Sequence, residues 1–353
     1  MATTKSDKIV LKLKRLIDSG EYYEAHQLYR TLFFRYTNGK RYEELQELLF
    51  AGATELLSKN QFNSGADLAS LYIDSVNQDP QMKQRLQDDK VCIQLSERMG
   101  ELLHKIPSKS TERIDFMMSA LKMKSDVFPL PLIHYQFALI LWREKNFSDS
   151  RYHFLYSPES CGEDCALMLI EYHVTAGYHS EVDLFIAQFI LQLLCSKQTK
   201  RKITESNAAG CSYSTKINGC KSRQETYANI ALRCFTTKHP DIQRNNPPFL
   251  LPLLNFLWFL LLAIDSGKAN TFKVLCDLYS PLLNRDPTYK EYLSKIGELY
   301  FGMQSPTGGQ MGGFLGNLLQ SLFEDDSEEN SDQGNNAESL PVAPRQQVDD
   351  DLD

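Results

Sequence analysis

"PPFLLPLLNFLWFLLLAID" (residues 247–265) is the most apolar stretch of this 353-residue chain. Whether it crosses a membrane or packs inside a folded body decides the class of protein. A bilayer core about 30 Å thick needs about 20 consecutive apolar residues in a helix. Residues 249–264 supply 16, and Asn255 sits among them. Pro252 suits the first turn of a helix, which leaves about 13 residues, or roughly 20 Å, before Asp265 and Gly267 close it. That is too short to span. A helix apolar on every side reads instead as a helix buried on every side, at the centre of a core.

Outward from this segment the chain reads as all helix. The first proline is Pro80, and 79 residues without one is a helical signal. Polar breaks recur in "SGEYYEAHQL" near Gly20, "GKRYEELQEL" near Lys40 and "KNQFNSGADL" near Asn60. Each is a short turn followed by an aromatic (Tyr22, Tyr42, Phe62) and then a helix. The period is 20 residues, so a helical hairpin takes about 40, the scale of a stacked solenoid similar to tetratricopeptide arrays. "EKNFSDSRYHFL" and "TAGYHSEVDLFIAQFI" are later echoes. Ala25, Leu28, Tyr29, Leu32 and Tyr36 form one apolar stripe, with Glu24, Gln27, Thr31 and Arg35 opposite; a strand would alternate with period two.

Pro107, Pro129 and Pro131 punctuate the middle. The pattern predicts helices over 109–124, 131–145, 147–156, 163–176 and 178–196, and again over 225–237, 252–265, 268–279 and 288–301. Residues 197–223 are rich in Ser, Lys, Asn and Gly and read as an inserted surface loop. Residues 304–353 read as a glycine-rich linker, a short amphipathic piece ("GGFLGNLLQSLF") and a disordered acidic tail.

The net charge of −7 hides an asymmetry. Residues 324–353 carry 11 acids and one base, a net of −10, so the body before them is +3. Residues 1–41 hold nine Lys and Arg against four Asp and Glu. A basic front suits an acidic partner. It does not suit nucleic acid, because the aromatics lie on the buried stripe rather than among the bases. Eight irregularly spaced cysteines and an N-terminus without an apolar leader region predict a cytosolic chain with mostly free thiols.

Signs of catalysis are weak. No HExxH occurs, and no glycine-rich phosphate loop follows a strand. Cys161, Cys165, His173 and His179 are the best metal candidates, and a metal-dependent hydrolase is the enzyme alternative they define. Cys165 and His173 share one predicted helix, about 12 Å apart, whereas zinc ligands lie about 2 Å from the ion. The set therefore fails without a bend. Cys211 and Cys220 flank part of the inserted loop and read as free thiols. No cofactor is expected. Charge is more informative. Asp67 and Asp74, seven apart, share a helix face. Lys12, Arg15, Arg35, Lys40 and Arg41 lie on the two preceding helices and their turns, so a stacked array would adjoin a basic and an acidic patch.

"GEYYEAHQLYRTLFFRY" (20–36), "LLNFLWFLLLAID", "RDPTYKEYLSKIGELYFG" and "GGFLGNLLQSLF", in that order over residues 8–323, closely resemble the Golgi-to-ER traffic protein four family. The resemblance implies an all-α superhelical solenoid of paired helices without enzymatic activity, the adaptor of tail-anchored membrane protein targeting. It implies that residues 1–150 dock a dimeric targeting ATPase. It implies that residues 151–303 hold a partner with a ubiquitin-like domain and, in animals, a large BAG-domain scaffold protein. Asp67 and Asp74 match the family's acidic pair that tunes nucleotide hydrolysis. Lys12, Arg15, Arg35, Lys40 and Arg41 match its basic anchor. The loop at 197–223 departs from the family pattern. The alternative is a generic helical-repeat scaffold of another cytosolic complex, which would ignore the ATPase.

Overall fold

A computed structural model describes residues 5–124, 126–196 and 223–303, and every regular element among them is helical. The chain starts with α1 (Lys5–Asp18), α2 (Tyr22–Asn38), α3 (Tyr42–Ser58) and α4 (Phe62–Gln78). The last three are each 17 residues long and begin 20 residues apart. The reason is one turn used repeatedly. Gly20, Lys40 and Asn60 all take positive φ, of 80°, 54° and 60°. The N–H of the following residue reaches back five positions, Glu21 to the Leu16 carbonyl (2.8 Å), Arg41 to Tyr36 (2.9 Å) and Gln61 to Leu56 (2.9 Å). The left-handed residue itself donates three positions back, to Ile17, Thr37 and Leu57 (3.1, 3.0 and 3.1 Å). This pair of bonds satisfies carbonyls that the helix end leaves free, and it reverses the chain within four residues.

The predicted short helix starts survive with small shifts. Beyond α4 come a one-turn α5 (Met82–Arg85), α6 (Asp89–Lys105), α7 (Thr111–Leu121), α8 (Leu130–Arg143) and α9 (Phe147–Tyr156). The same turn recurs between α8 and α9, where Lys145 has φ 63° and Asn146 N–H bonds the Leu141 carbonyl at 2.9 Å. Then follow α10 (Gly162–Ala176), α11 (Val182–Cys195), α12 (Arg223–Lys238), α13 (Pro252–Ser266), α14 (Ala269–Leu278), the short α15 (Ser280–Leu283) and α16 (Pro287–Phe301). Expected helix 178–196 begins instead with a 3-10 turn, His179–Glu181, ahead of α11. The expected loop ends one residue early, since Arg223 opens α12. Its residues 197–222, with Cys211 and Cys220, lie outside the described residues, as do the linker, amphipathic piece and tail expected over 304–353.

The solenoid has two hydrophobic cores. One runs from Leu13 to Ile140 and the other from Ala138 to Ile296. They meet on α8, which gives Ile133, Phe137 and Ile140 to the first and Ala138 to the second. Buried Arg113 of α7 braces this junction. It donates to the Leu103 and Ile106 carbonyls (3.1 and 2.8 Å) and to Glu144 (2.7 Å) just past α8.

α13 needs a correction. It packs on α11, α12 and α14, but it is not buried on every side: Phe259 and Leu262 are 46% and 50% exposed. The nearly enclosed helix is α11, which touches α9, α10, α12, α13 and α16. Asn255, the polar interruption of α13, accepts from the Phe249 N–H (2.7 Å) and donates to the Phe249 carbonyl (2.8 Å). It thereby satisfies backbone that would otherwise lose its water. At 15 residues α13 is about 22 Å long. Among the described residues no helix is long and apolar enough to cross a membrane.

The turn is testable. A side chain at left-handed φ costs roughly 1 kcal/mol, which glycine does not pay. Lys40→Gly should raise the unfolding free energy obtained from denaturant titration by up to about 1 kcal/mol, and Gly20→Ala should lower it by a similar amount. Equal and small effects of both would mean the turn carries no strain.

Candidate functional site

The 20-residue repeat places α4 beside α2 as well as α3, so side chains about 40 positions apart meet. Asp67 on α4 is gripped from α2. His26 Nε2 lies 2.7 Å from its Oδ2 and Arg30 Nη1 3.4 Å from its Oδ1. His26 and Arg30 are one helical turn apart, which is why one carboxylate can take both. Asp74 is exposed, and no cation pairs with it among the described residues. Partial burial, then the neighbouring Asp67 charge, holds its carboxyl above the usual carboxylate range. The two acids therefore share a face and feel each other, but they are not equivalent.

The basic residues fall into three places. Lys12 and Arg15 are exposed on α1 and share a face with Lys8, at spacing i, i+4, i+7. Arg35 is exposed on α2, about 140° of helical rotation from Arg30, so the two flank opposite sides of the buried stripe. Lys40 occupies the left-handed turn. Arg41 next to it is engaged internally: its Nε donates to Glu44 Oε1 at 2.7 Å, a second bond reaches Glu44 Oε2, and its guanidinium lies 4.5 Å from the Tyr36 ring centre. None of the five expected bases touches Asp67 or Asp74; His26 and Arg30 do. From α2 the sequence pointed to Arg35, whereas the two residues of α2 that reach Asp67 are His26 and Arg30, on the other side of the buried stripe. Their spacing to Asp67, 41 and 37 residues, straddles two repeat periods and was the available signal.

The C-terminal half offers little chemistry. Cys161 and Cys165 are both buried, Cys161 beside the Ser160 hydroxyl at 4.0 Å, and the hydrogen bonds of His173 go elsewhere, to Tyr178 and His239. Burial pushes the Cys161 and Cys195 thiols up to about 12 and Cys276 to about 11, and it raises Cys165 and Cys234 as well. A nucleophile or metal ligand needs the opposite shift. His173 joins His239 and Asp241, the one group with metal-like spacing among the described residues. The hydrogen bonds there assign a different role. The Asp241 N–H donates to His239 Nδ1 (3.1 Å), so His239 Nε2 carries the ring proton and donates it to His173 Nδ1 (3.0 Å). The other nitrogen, His173 Nε2, donates to the Tyr178 carbonyl (2.9 Å). Each ring nitrogen already has its partner, and His239 Nε2 has no lone pair to offer an ion. His179 Nδ1 stands 3.2 Å from Asp241 Oδ2 at the edge of this chain of bonds. A second buried pair, His134 and His153, meets through Nδ1 atoms at 2.9 Å.

A solenoid of stacked helices with charged faces on its first helices and most of its described cysteines buried belongs to the class of helical-repeat scaffolds. The comparisons specify which. The family model described as "Golgi to ER traffic protein 4" matches residues 39–323. The chain is 42% identical to "Golgi to ER traffic protein 4 homolog" of Oryzias latipes over 85% of this chain and 84% of that one. It is 41% identical to the Homo sapiens homolog over 83% and 79%. A crystal structure of C. therm. Get4 superposes with TM-score 0.70 over 93% of this chain and 100% of that one, at 22% identity, a likeness of fold. The chain belongs to the Golgi to ER traffic protein 4 family, which supports a part in Golgi-to-ER traffic.

Two outcomes follow from the buried groups. His134, His153 and His239 are held down to about 3, 4 and 4 by burial, so the native state resists the protons that the unfolded chain binds near 6.5. Their contribution is complete above pH 6.5 and is lost as pH falls toward 4. Thermal midpoints should thus decline over that window, and His239→Gln should flatten part of the decline; a midpoint constant from pH 7 to 4.5 would contradict the buried-neutral assignment. Secondly, Cys92, Cys161, Cys165, Cys195, Cys234 and Cys276 should react with a thiol reagent at least tenfold slower in the native chain than after unfolding, read by mass mapping of the labelled peptides.

Proposed function

We propose that this chain is a non-enzymatic, cytosolic adaptor in post-translational targeting of tail-anchored proteins to the ER membrane. Its N-terminal half docks a dimeric targeting ATPase. Its C-terminal half holds a protein with a ubiquitin-like domain and, in animals, a BAG-domain scaffold protein, and so brings the ATPase to the chaperone loaded with apolar cargo. It takes no cofactor, binds no nucleic acid and does not itself enter the membrane.

Family membership over residues 39–323 is the observation that carries this reading. The charge layout supports it. Lys12, Arg15, Arg35 and Lys40 are exposed without a carboxylate partner among the described residues, as an anchor for an acidic surface requires. Exposed Asp74, with Asp67 behind it, offers negative charge to a basic group. Charges at an interface rim govern encounter rate and register more than final affinity. The two patches thus divide the work: the bases attract and seat the ATPase, and the acidic pair acts on its nucleotide site.

That division predicts a split between binding and turnover. Reversing both acids, Asp67→Lys with Asp74→Lys, should change ATP hydrolysis by the bound ATPase several-fold while moving its affinity less. Steady-state hydrolysis and equilibrium binding measured on the same variant decide the matter. Unchanged turnover would remove the regulatory role from the pair.

A further inference from the structure

The contacts of Asp67 lead one step further, resting on the proposed reading. Its two oxygens are held in different ways. Oδ2 meets buried His26 at 2.7 Å, a contact that belongs to the packing of α2 on α4. Oδ1 meets Arg30 at 3.4 Å, and those side chains are 33% and 45% exposed. So open an ion pair is readily exchanged for water or for another ion. Asp74, on the same face, is close enough for the Asp67 charge to raise its carboxyl. Whatever neutralises Asp67 therefore sets the potential at both acids.

We propose that Arg30 is a built-in counter-ion of the acidic pair, holding one oxygen of Asp67 in the free chain and giving it up when basic groups of the ATPase approach the two carboxylates. Arg30 then sets how strongly the pair engages and with what. The acceptors on offer are the Asp74 carboxylate and, once Arg30 swings away, Asp67 Oδ1. Both fit a lysine or arginine. Buried His26 stays behind and keeps Asp67 aimed. A partner presenting a carboxylate at this spot faces two acids, so the same layout selects against it. Arg30 is a positioning residue in this scheme, because it acts through Asp67.

The test uses the full chain and the dimeric ATPase with a bound ATP analogue. Arg30→Gln should leave the thermal midpoint nearly unchanged and tighten binding about two- to fivefold at low salt, the exchange value of one exposed ion pair. The gain should vanish at high salt, where screening removes it. Arg30→Lys should restore the parent affinity. Lys109→Gln makes the same charge change on an exposed turn elsewhere and should have no effect. If Arg30→Gln weakens binding or leaves it unaltered while Asp74→Asn weakens it, the acidic pair remains a contact and the counter-ion role is wrong. If Asp67→Asn and Asp74→Asn both leave binding and hydrolysis untouched, the pair is no contact and the proposed docking face falls with it.

Discussion

The first four helices depend on one backbone constraint, a single left-handed residue after each of α1, α2 and α3 with two hydrogen bonds folding back onto the last turn. Because this reversal takes three residues each time, at 19–21, 39–41 and 59–61, helices α2, α3 and α4 have one length and one register. Alternate helices consequently run parallel, with residue n near residue n + 40. His26 with Asp67, Arg30 with Asp67, and Arg85 of α5 with Glu43 (3.2 Å) obey that relation, separated by 41, 37 and 42 positions. A local backbone rule thus decides which charges face one another on the surface.

The same rule explains what was legible in the sequence. Periodic aromatics after polar breaks revealed the helices, the repeat and the all-α solenoid, because those signals are local. Lys40 shows the limit. Nothing in its side chain announces positive φ, and only its alignment with Gly20 and Asn60 does. The face shared by Asp67 and Asp74 was readable from their spacing on one helix. Their inequality was not, since it comes from His26 and Arg30 on an alternate helix. In the sequence Asn255 counts only against a membrane span; in the structure it bonds both backbone groups of Phe249, six residues away, in a segment with no pattern of its own.

The C-terminal half is organised by burial rather than by repeat. α11 sits at its centre, and its polar groups close on themselves through the bonds from Asp241 to His239, His173 and Tyr178. Burial there raises thiols and lowers imidazoles, which suppresses reactivity. The candidate metal set of Cys161, Cys165, His173 and His179, which helix geometry had counted against, is not brought together: His173 bonds His239 and Tyr178, and His179 lies beside Asp241. Two apolar side chains of this half, Phe259 and Leu262 of α13, nevertheless face outward.

The most direct test of electrostatic docking is the affinity of the full chain for the ATP-analogue-bound ATPase dimer, measured across a range of salt. Tight binding at low salt that weakens steadily as salt screens the exposed charges is the predicted result. Binding that ignores salt, or no binding at any salt, would contradict an adaptor that docks through its basic front and acidic pair.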